Sequence, residues 1–529
     1  MVEEGTRLDA RVHANARRFA EDSALIQDST SLSYAQTSQL IDRYARAMVA
    51  AGVGPGNRVA VLGYSSIEAA MAFLGAASIG ASYVGLSPKY RERELVHILG
   101  DSTPSLTFSF GDEEDHRRLL NALGRKSPTI VGLQKREGAV ALEDFLQGGE
   151  PVLQNTLTSI RKTVDPYGPA VVLYTSGSTG PPKGAMLSHD ALVRGVDIMA
   201  QLVPERPRCL TDYPINHISW VLETCLLTLT LAGTLYLRSR FDPDETLRLI
   251  EEERLTVWQG APSMYFLCLE ADRYPNRDLS SVEALMYFGG PLPKDVLKEL
   301  KQKTGARLCT GWGMTETTGG CTLTAADADL ETLATTVGKP DPRVEVRIVD
   351  VAGREVGVGE PGEILVRGPT LFLGYLNQPE ITAEVLDPDG FLHTGDIALM
   401  QPDGNVRLVG RSKEMFKSGG YNVYPSEVEM VLGEHPEVAV AAVIPKSDEL
   451  WGEVGVAFIK PRSASMTPSS TDLVAFCKER LANYKVPKHF VVDPSLPILP
   501  SGKVDKKQLR HERASESIPV RATPEEGAR

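Results

Sequence analysis

Tyr174-Thr-Ser-Gly-Ser-Thr-Gly-Pro-Pro-Lys-Gly184 follows the apolar run Val171-Val-Leu-Tyr. Its three glycines permit close backbone approach and positive φ, four hydroxyls can donate to phosphate oxygens, and Lys183 adds a cation. The segment reads as an anion cradle placed at the end of a strand. It departs from the Walker pattern: Pro182 precedes the lysine where glycine is needed, and Gly184 follows where Ser or Thr would hold magnesium. A flexible Gly/Ser connector is the bland alternative, but apolar segments rather than linker composition flank the loop.

Outward from this loop, strand-like and helix-like units alternate. Arg58-Val-Ala-Val-Leu, Val171-Val-Leu-Tyr, Thr256-Val-Trp and Ala284-Leu-Met-Tyr-Phe read as buried strands, whereas Arg11 to Phe19 and Ile67 to Ile79 read as helices. That alternation predicts layered α/β subdomains. The apolar stretch Trp220 to Leu237 contains Glu223 and four threonines, so a buried helix is expected rather than a membrane span. From about Gly338 the texture changes: Val344-Glu-Val-Arg-Ile-Val and Glu363-Ile-Leu-Val-Arg alternate with period two, marking a small β-rich subdomain over 338–409. Beyond a break near Gly410, a compact α+β domain is expected over 415–529, with helices at Ser426 to Leu432 and Asp472 to Ala482 and a strand at Val438 to Ile444. The polar tail after about 511 is expected to be disordered.

The chain has 529 residues, with 56 Lys+Arg against 69 Asp+Glu for a net charge of −13. An ordinary 42% hydrophobic, 24% charged composition excludes disorder, collagen and coiled coil as global descriptions, and the acidity argues against a nucleic-acid coat. Six cysteines without a C-x-x-C pair argue against a disulfide scaffold or zinc module and fit a cytoplasmic setting. The first residues lack a basic segment followed by an apolar one, so no secretory signal is expected.

Five further motifs follow the phosphate loop in order. They are Gly311-Trp-Gly-Met-Thr-Glu-Thr-Thr318, Gly374-Tyr-Leu-Asn-Gln-Pro-Glu-Ile-Thr382, His393-Thr-Gly-Asp-Ile397, Gly410-Arg-Ser-Lys-Glu-Met-Phe-Lys-Ser-Gly-Gly-Tyr-Asn-Val-Tyr-Pro425 and Pro500-Ser-Gly-Lys503. With these motifs the chain resembles the adenylate-forming superfamily, and within it the acyl-CoA synthetases and 4-coumarate-CoA-ligase-like enzymes, over nearly its whole length. The resemblance implies attack of a carboxylate on the α-phosphorus of ATP, then attack of a thiol on the acyl-AMP. The implied co-substrates are ATP, Mg²⁺ and coenzyme A. The implied partners are small molecules, with no nucleic acid, no integral membrane segment and an undetermined oligomeric state.

The resemblance also assigns roles. The phosphate loop contributes Thr175, Ser176, Gly177, Ser178, Thr179, Gly180 and Lys183. Glu316 is the implied magnesium ligand, with Thr315 beside it on the phosphate, which suits a hard cation that needs oxygen donors. Asp396 matches the carboxylate that accepts both ribose hydroxyls, and Arg411 an arginine reaching ribose or phosphate. Trp312, between Gly311 and Gly313, stands where an aromatic stacks on adenine, facing Gly289, Gly290 and Pro291. Lys503 matches the lysine that bridges carboxylate and phosphate during adenylation. Lys413, within a hinge at 410–414, matches the pivot for the second step, and Ser418, Gly419 and Gly420 match the pantetheine tunnel, where some relatives carry lysine before the second glycine. His217 matches the mouth of the acyl pocket, with Ile218, Trp220, Val221, Gly260 and Ala261 as its walls. The bulk of Trp220 suggests a shortened pocket for aromatic or short-to-medium-chain acids. Alternative readings are loading of a carrier-protein phosphopantetheine, a long-chain fatty acyl-CoA synthetase and a luciferase-like oxygenase.

Charge divides unevenly at the Gly410 break. Residues 411–529 carry 17 Lys+Arg and 16 Asp+Glu, net +1, so residues 1–410 carry −14. The small domain is therefore expected to present a locally basic surface to phosphate groups.

Overall fold

Two large, mostly parallel sheets form the body of the protein in the computed structural model, which describes residues 7–124, 128–175, 181–463, 467–498 and 504–513. One has seven strands. In spatial order these are Val140–Ala141, Thr129–Gly132, Leu106–Ser109, Arg58–Leu62, Ser82–Leu86, Pro169–Thr175 and, antiparallel at the edge, Lys183–Ser188. The other has nine strands, with Arg208–Thr211, Val257–Gly260, Ala284–Tyr287 and Arg307–Met314 as its parallel centre. The strands are near-continuous apolar runs because helices cover their faces.

A single apolar core joins the two sheets, and Ile67–Ser78 shows why. Ser66 caps this helix by accepting from the Ala69 N–H at 3.2 Å, and every residue from Ala69 to Ser78 is buried. With alanine and glycine on several faces, the helix can pack closely on all sides: a Cβ on Gly75 would lie 2.9 Å from the Cβ of Tyr44.

The expected β-rich subdomain is a four-stranded antiparallel sheet, Glu345–Val349, Gly362–Arg367, Leu392–Met400 and Val406–Arg411. It begins later than expected, since Lys339–Pro340 pairs instead with Gly319–Leu323 of the nine-stranded sheet. The chain then turns at 412–414 and enters a second α+β unit. Its centre is the long hairpin Val438–Asp448 and Gly452–Pro461, joined by Phe416–Ser418, Tyr421–Val423 and His489–Val492, and packed by helices Pro425–Gly433 and Ser470–Arg480. The helix Lys506–Arg513 carries regular structure beyond the expected limit of order, and residues 514–529 lie outside the described residues.

The stretch expected as one buried helix, Trp220 to Leu237, divides. Ser219–Leu226 is wound as a π-helix, Leu227–Thr230 continues as α-helix, and Thr234–Leu237 is a strand between Arg208–Thr211 and Ser23–Gln27. The break has a steric cause. Ala232 takes a left-handed φ of 56°, and a Cβ at Gly233 would sit 2.1 Å from the carbonyl oxygen of Pro207. No described helix is long and apolar enough to cross a membrane.

Candidate active site

The phosphate-loop hairpin aligns Thr175 with Lys183 across its base, so both flank residues 176–180. Ser176, Gly177, Ser178, Thr179 and Gly180 lie outside the described residues, and so does Lys503. Against the outer edge of this hairpin runs the Phe372–Leu376 segment. Leu373 N–H donates to Met186, Met186 N–H to Gly374, and Leu376 N–H to Gly184. Phe372 N–H also donates to the carbonyl of Glu316, so three segments distant in sequence share one corner.

That corner is built around the Glu316 carboxylate, which is only 5% exposed. Its Oε1 accepts from Thr175 Oγ1 at 3.3 Å and from Tyr375 Oη at 2.8 Å. Among the described residues no side chain is recorded bonding Oε2. Lys183 Nζ lies 5.2 Å above the Tyr375 ring. Burial, and then the neighbouring Glu316 charge, hold the Tyr375 phenol above its usual range, so it stays a donor. The cluster presents a fixed anion beside a cation at the mouth of a Gly/Ser/Thr loop. No group of three or more His, Cys, Asp or Glu suited to a metal occurs among the described residues. One carboxylate completed by substrate phosphates and water is nevertheless a coordination set that Mg²⁺ accepts.

The residues between Arg307 and Leu323 fold as an antiparallel hairpin because of glycine. A Cβ on Gly313 would lie 1.9 Å from the carbonyl oxygen of Gly319. Trp312 is buried, and its indole N–H donates to Asp396 Oδ2 at 2.8 Å. Asp396 is itself buried and pairs across the sheet with Arg411, whose Nε lies 2.8 Å from Oδ1. Arg411 is 54% exposed, so the pair faces solvent on the arginine side only. Each carboxylate oxygen thus has one donor at hand, and each retains lone-pair capacity for a further hydroxyl. Tyr375 was not among the residues expected in the site, although it stands inside the quoted Gly374–Thr382 motif. Trp312 was expected as a stacking ring; its observed partner is Asp396, to which its indole N–H donates.

Gly289, with φ of 85°, Gly290 and Pro291 follow the strand Ala284–Tyr287 at the sheet edge where Gly260 and Gly311 also emerge. Thr315, half-buried, opens the short 3-10 turn Thr315–Thr317 that carries Glu316. His217 stacks on Tyr213, with ring centroids 6.4 Å apart and planes at 17°. Ile218, Val221, Gly260 and Ala261 are buried. Trp220 corrects the expectation of a shortened pocket. Its ring is 0% exposed, packs against Phe73 and Tyr83 in the core, and donates its N–H to Ser65 Oγ at 3.0 Å. The local winding turns it into the core, so its bulk is taken up there and does not measure the acid.

Around the expected hinge, Gly410 and Arg411 are still strand, and the turn occupies 412–414. Ser412 N–H donates to the Gly395 carbonyl at 2.8 Å, while Lys413 is exposed. The Glu414 carboxylate meets Lys506 Nζ at 2.9 Å, and the same ammonium lies 2.8 Å from Glu429. Burial opposes the charge on Lys506, but the two carboxylates outweigh it and hold the ammonium above its usual range. Ser418 pairs with Tyr421 around Gly419 and Gly420, whose φ values of 57° and 86° make a tight two-residue hairpin turn. A Cβ at Gly419 would meet the Trp451 ring at 2.8 Å, so that position favours glycine over the lysine found before the second glycine in some relatives.

Comparison with known proteins bears on both parts of the chain. The AMP-binding enzyme family model matches residues 12–376, and the model for the AMP-binding enzyme C-terminal domain matches residues 427–503. A feruloyl-CoA synthase from Amycolatopsis sp is 36% identical over 497 residues, covering 94% of this chain and 96% of the relative. An indoleacetate–CoA ligase from Aromatoleum aromaticum is 34% identical over 490 residues, covering 90% and 92%. Among solved structures, the amide bond synthetase McbA from Marinactinospora thermotolerans superposes with a TM-score of 0.85 at 30% identity, covering 96% of this chain and 99% of that one. ATP-bound MatB from Rhodopseudomonas palustris gives 0.82 at 28% identity, covering 96% and 98%. The chain belongs to the AMP-binding enzymes, the adenylate-forming ligases, and carries both their large domain and their C-terminal domain.

Proposed function

We propose that the protein joins a carboxylic acid to coenzyme A in two steps, releasing pyrophosphate as acyl-AMP forms and AMP as the thioester forms. The observation that carries this reading is the presence of two buried carboxylates, Glu316 held by Thr175 and Tyr375, and Asp396 between Trp312 and Arg411. The first suits Mg·ATP, where the bound cation would lower the charge repulsion between the acid and the phosphates. The second suits the ribose diol, whose two hydroxyls can donate to one carboxylate. Because Thr175, Tyr375 and Trp312 already hold these oxygens in place, little reorganisation is needed when charge develops at phosphorus.

The remaining roles follow the same logic. Lys503 would neutralise the carboxylate and α-phosphate during adenylation. Lys413 would be the pivot that removes it, and Gly419-Gly420 would leave room for pantetheine. His217 would orient the acid. The acid is proposed to be aromatic, in keeping with the similarity to a feruloyl-CoA synthase and an indoleacetate–CoA ligase. Six buried free thiols suit a cytoplasmic setting. Pyrophosphate release across a panel of aryl and aliphatic acids, with and without CoA, tests the reading. Acid-dependent release with acyl-CoA as product is expected. Absence of acid-dependent release from every member of the panel would overturn it, and release without thioester would move the acceptor to a carrier protein.

A further inference from the structure

The helix Glu92–Ser102 shares one apolar cluster with the phosphate-loop hairpin: its Leu95, Ile98 and Leu99 lie with Val172, Tyr174 and Leu376. Two polar side chains one turn apart on this helix, His97 and Asp101, reach the same region. His97 Nε2 lies 2.8 Å from the carbonyl oxygen of Pro182, and since a carbonyl only accepts, this nitrogen is assigned the proton and donates. Asp101 Oδ2 accepts from the Tyr174 phenol at 2.7 Å, while its Oδ1 and its main-chain oxygen accept from the Asn377 amide at 3.1 and 2.9 Å. Burial, and then Asp101, hold the Tyr174 phenol above its usual range, so it remains a donor.

Each of the three partners adjoins a residue of the Glu316 corner. Tyr174 precedes Thr175, which donates to Glu316; Pro182 precedes Lys183; and Asn377 follows Tyr375 by two residues. Tyr174 and Gly184 face each other in the hairpin, and a Cβ on Gly184 would lie 3.0 Å from the Tyr174 ring. Glycine there gives the ring room to lie across the hairpin and point its hydroxyl at Asp101. Asn377 has a left-handed φ of 54°, which asparagine tolerates better than most residues, and its amide ties that turn to Asp101. Among the described residues Asp101 has no recorded ion pair, and its recorded side-chain bonds all go to Tyr174 and Asn377. A solvated surface carboxylate would not be spent in this way.

We infer that His97 and Asp101 are positioning residues for Mg·ATP. The helix that carries them grips both ends of the phosphate loop and the segment bearing Tyr375, and so fixes where Thr175, Lys183 and Glu316 meet the phosphates. The inference rests on the adenylate-forming reading above. Glycine loses more backbone freedom on ordering than any other residue, so anchoring the ends of a segment that contains Gly177 and Gly180 lowers the entropy that nucleotide binding must supply. Under that reading the benefit falls on the triphosphate. The adenosine end would be held separately, by Trp312, Asp396 and Arg411.

Calorimetric binding to the intact protein tests this with two probes: α,β-methylene-ATP with Mg²⁺, which cannot release pyrophosphate, and AMP. The wild-type protein is expected to bind both. His97→Leu and Asp101→Ala are each expected to weaken the triphosphate about tenfold, the scale of one lost hydrogen bond, while AMP stays within about twofold. His97→Gln, which restores an N–H donor, is expected to return to within about threefold of the wild type. Adding Tyr174→Phe to Asp101→Ala should cost no more than about twofold beyond Asp101→Ala alone, because both remove the same bond. Unchanged triphosphate binding in either His97→Leu or Asp101→Ala would overturn the inference. So would parallel loss of triphosphate and AMP, the mark of a merely structural helix, or a His97→Gln variant no better than His97→Leu. A wild-type protein that binds neither probe would remove the adenylate-forming reading itself, and this inference with it.

Discussion

The proposed nucleotide wall of the large domain and the linker into the small domain are built on opposite plans. In the wall, Glu316 and Asp396 are buried and held by residues far away in sequence: Thr175, Tyr375 and Trp312. In the linker, Lys413, Gly419 and Gly420 are exposed, and Lys413 itself sits between two attached neighbours, Ser412 and Glu414. The wall resembles a preorganised electrostatic site, whose geometry is fixed before substrate arrives. The linker resembles a hinge, where a few residues absorb a large backbone change. Under the proposed two-step reaction, damage to the wall should fall on adenylation, and damage to the linker on thioester formation.

Lys503→Ala should give the largest separation. Acyl-AMP formation is expected to drop about 10³-fold, the size of losing one charge-stabilising donor, while thioester formation from supplied acyl-AMP largely survives. Equal loss in both assays would remove Lys503 from its role. Lys413→Pro inverts the pattern, since fixing φ near −65° restricts the turn. Thioester formation is expected to fall about 10²-fold with pyrophosphate exchange within threefold, and single-turnover assays of each step will read the difference. For Tyr375→Phe the expected loss is smaller, about tenfold in adenylation, as is typical of losing one hydrogen bond to a charged group. It should appear as a higher KM for Mg·ATP, with CoA kinetics unchanged; an effect on CoA alone would contradict the wall assignment.

The smallest effect concerns stability rather than rate. Folding raises the Glu223 carboxyl from 4.5 to about 7, so its protonated form is favoured in the folded protein. That contribution is fully present below about pH 4.5 and is lost as pH rises through about 7, a change of roughly 3 kcal/mol at most. Glu223→Gln should flatten this part of the pH–stability curve measured by denaturant unfolding. An unchanged slope would mean that the carboxyl is solvated in the folded protein.

Much of this plan is legible in the sequence. The strands at Arg58, Val171 and Ala284, the helix after Ser66 and the β-rich segment all follow from period and capping, which are local properties. The ordered motifs name Glu316, Asp396 and Arg411. Sequence does not show which distant side chain completes each carboxylate. Tyr375 reaches Glu316 only because its segment docks along the strand Lys183–Ser188. Trp220 looked like a pocket wall because its neighbour His217 matches the mouth of one in the family, yet a residue's direction depends on local helix phase, and here the winding is π rather than α. The end of that helix was equally hidden, since Thr234–Leu237 becomes a strand through pairing with two segments far away.

Lys506 gives the linker a mechanical consequence. Ser412 is bonded to Gly395 of the large domain, and Glu414 is bonded through Lys506 to Glu429 of the small one. Any rotation that keeps both attachments must pass through the torsions around Lys413, which lies between them. With Lys413 as the proposed pivot, the joint would be an axle one residue long, mounted on these bonds at either side. For a pivot at Lys413, so short an axle would limit wobble, and the ammonium of Lys506, clasped by Glu414 and Glu429, would be the bolt on the small-domain side.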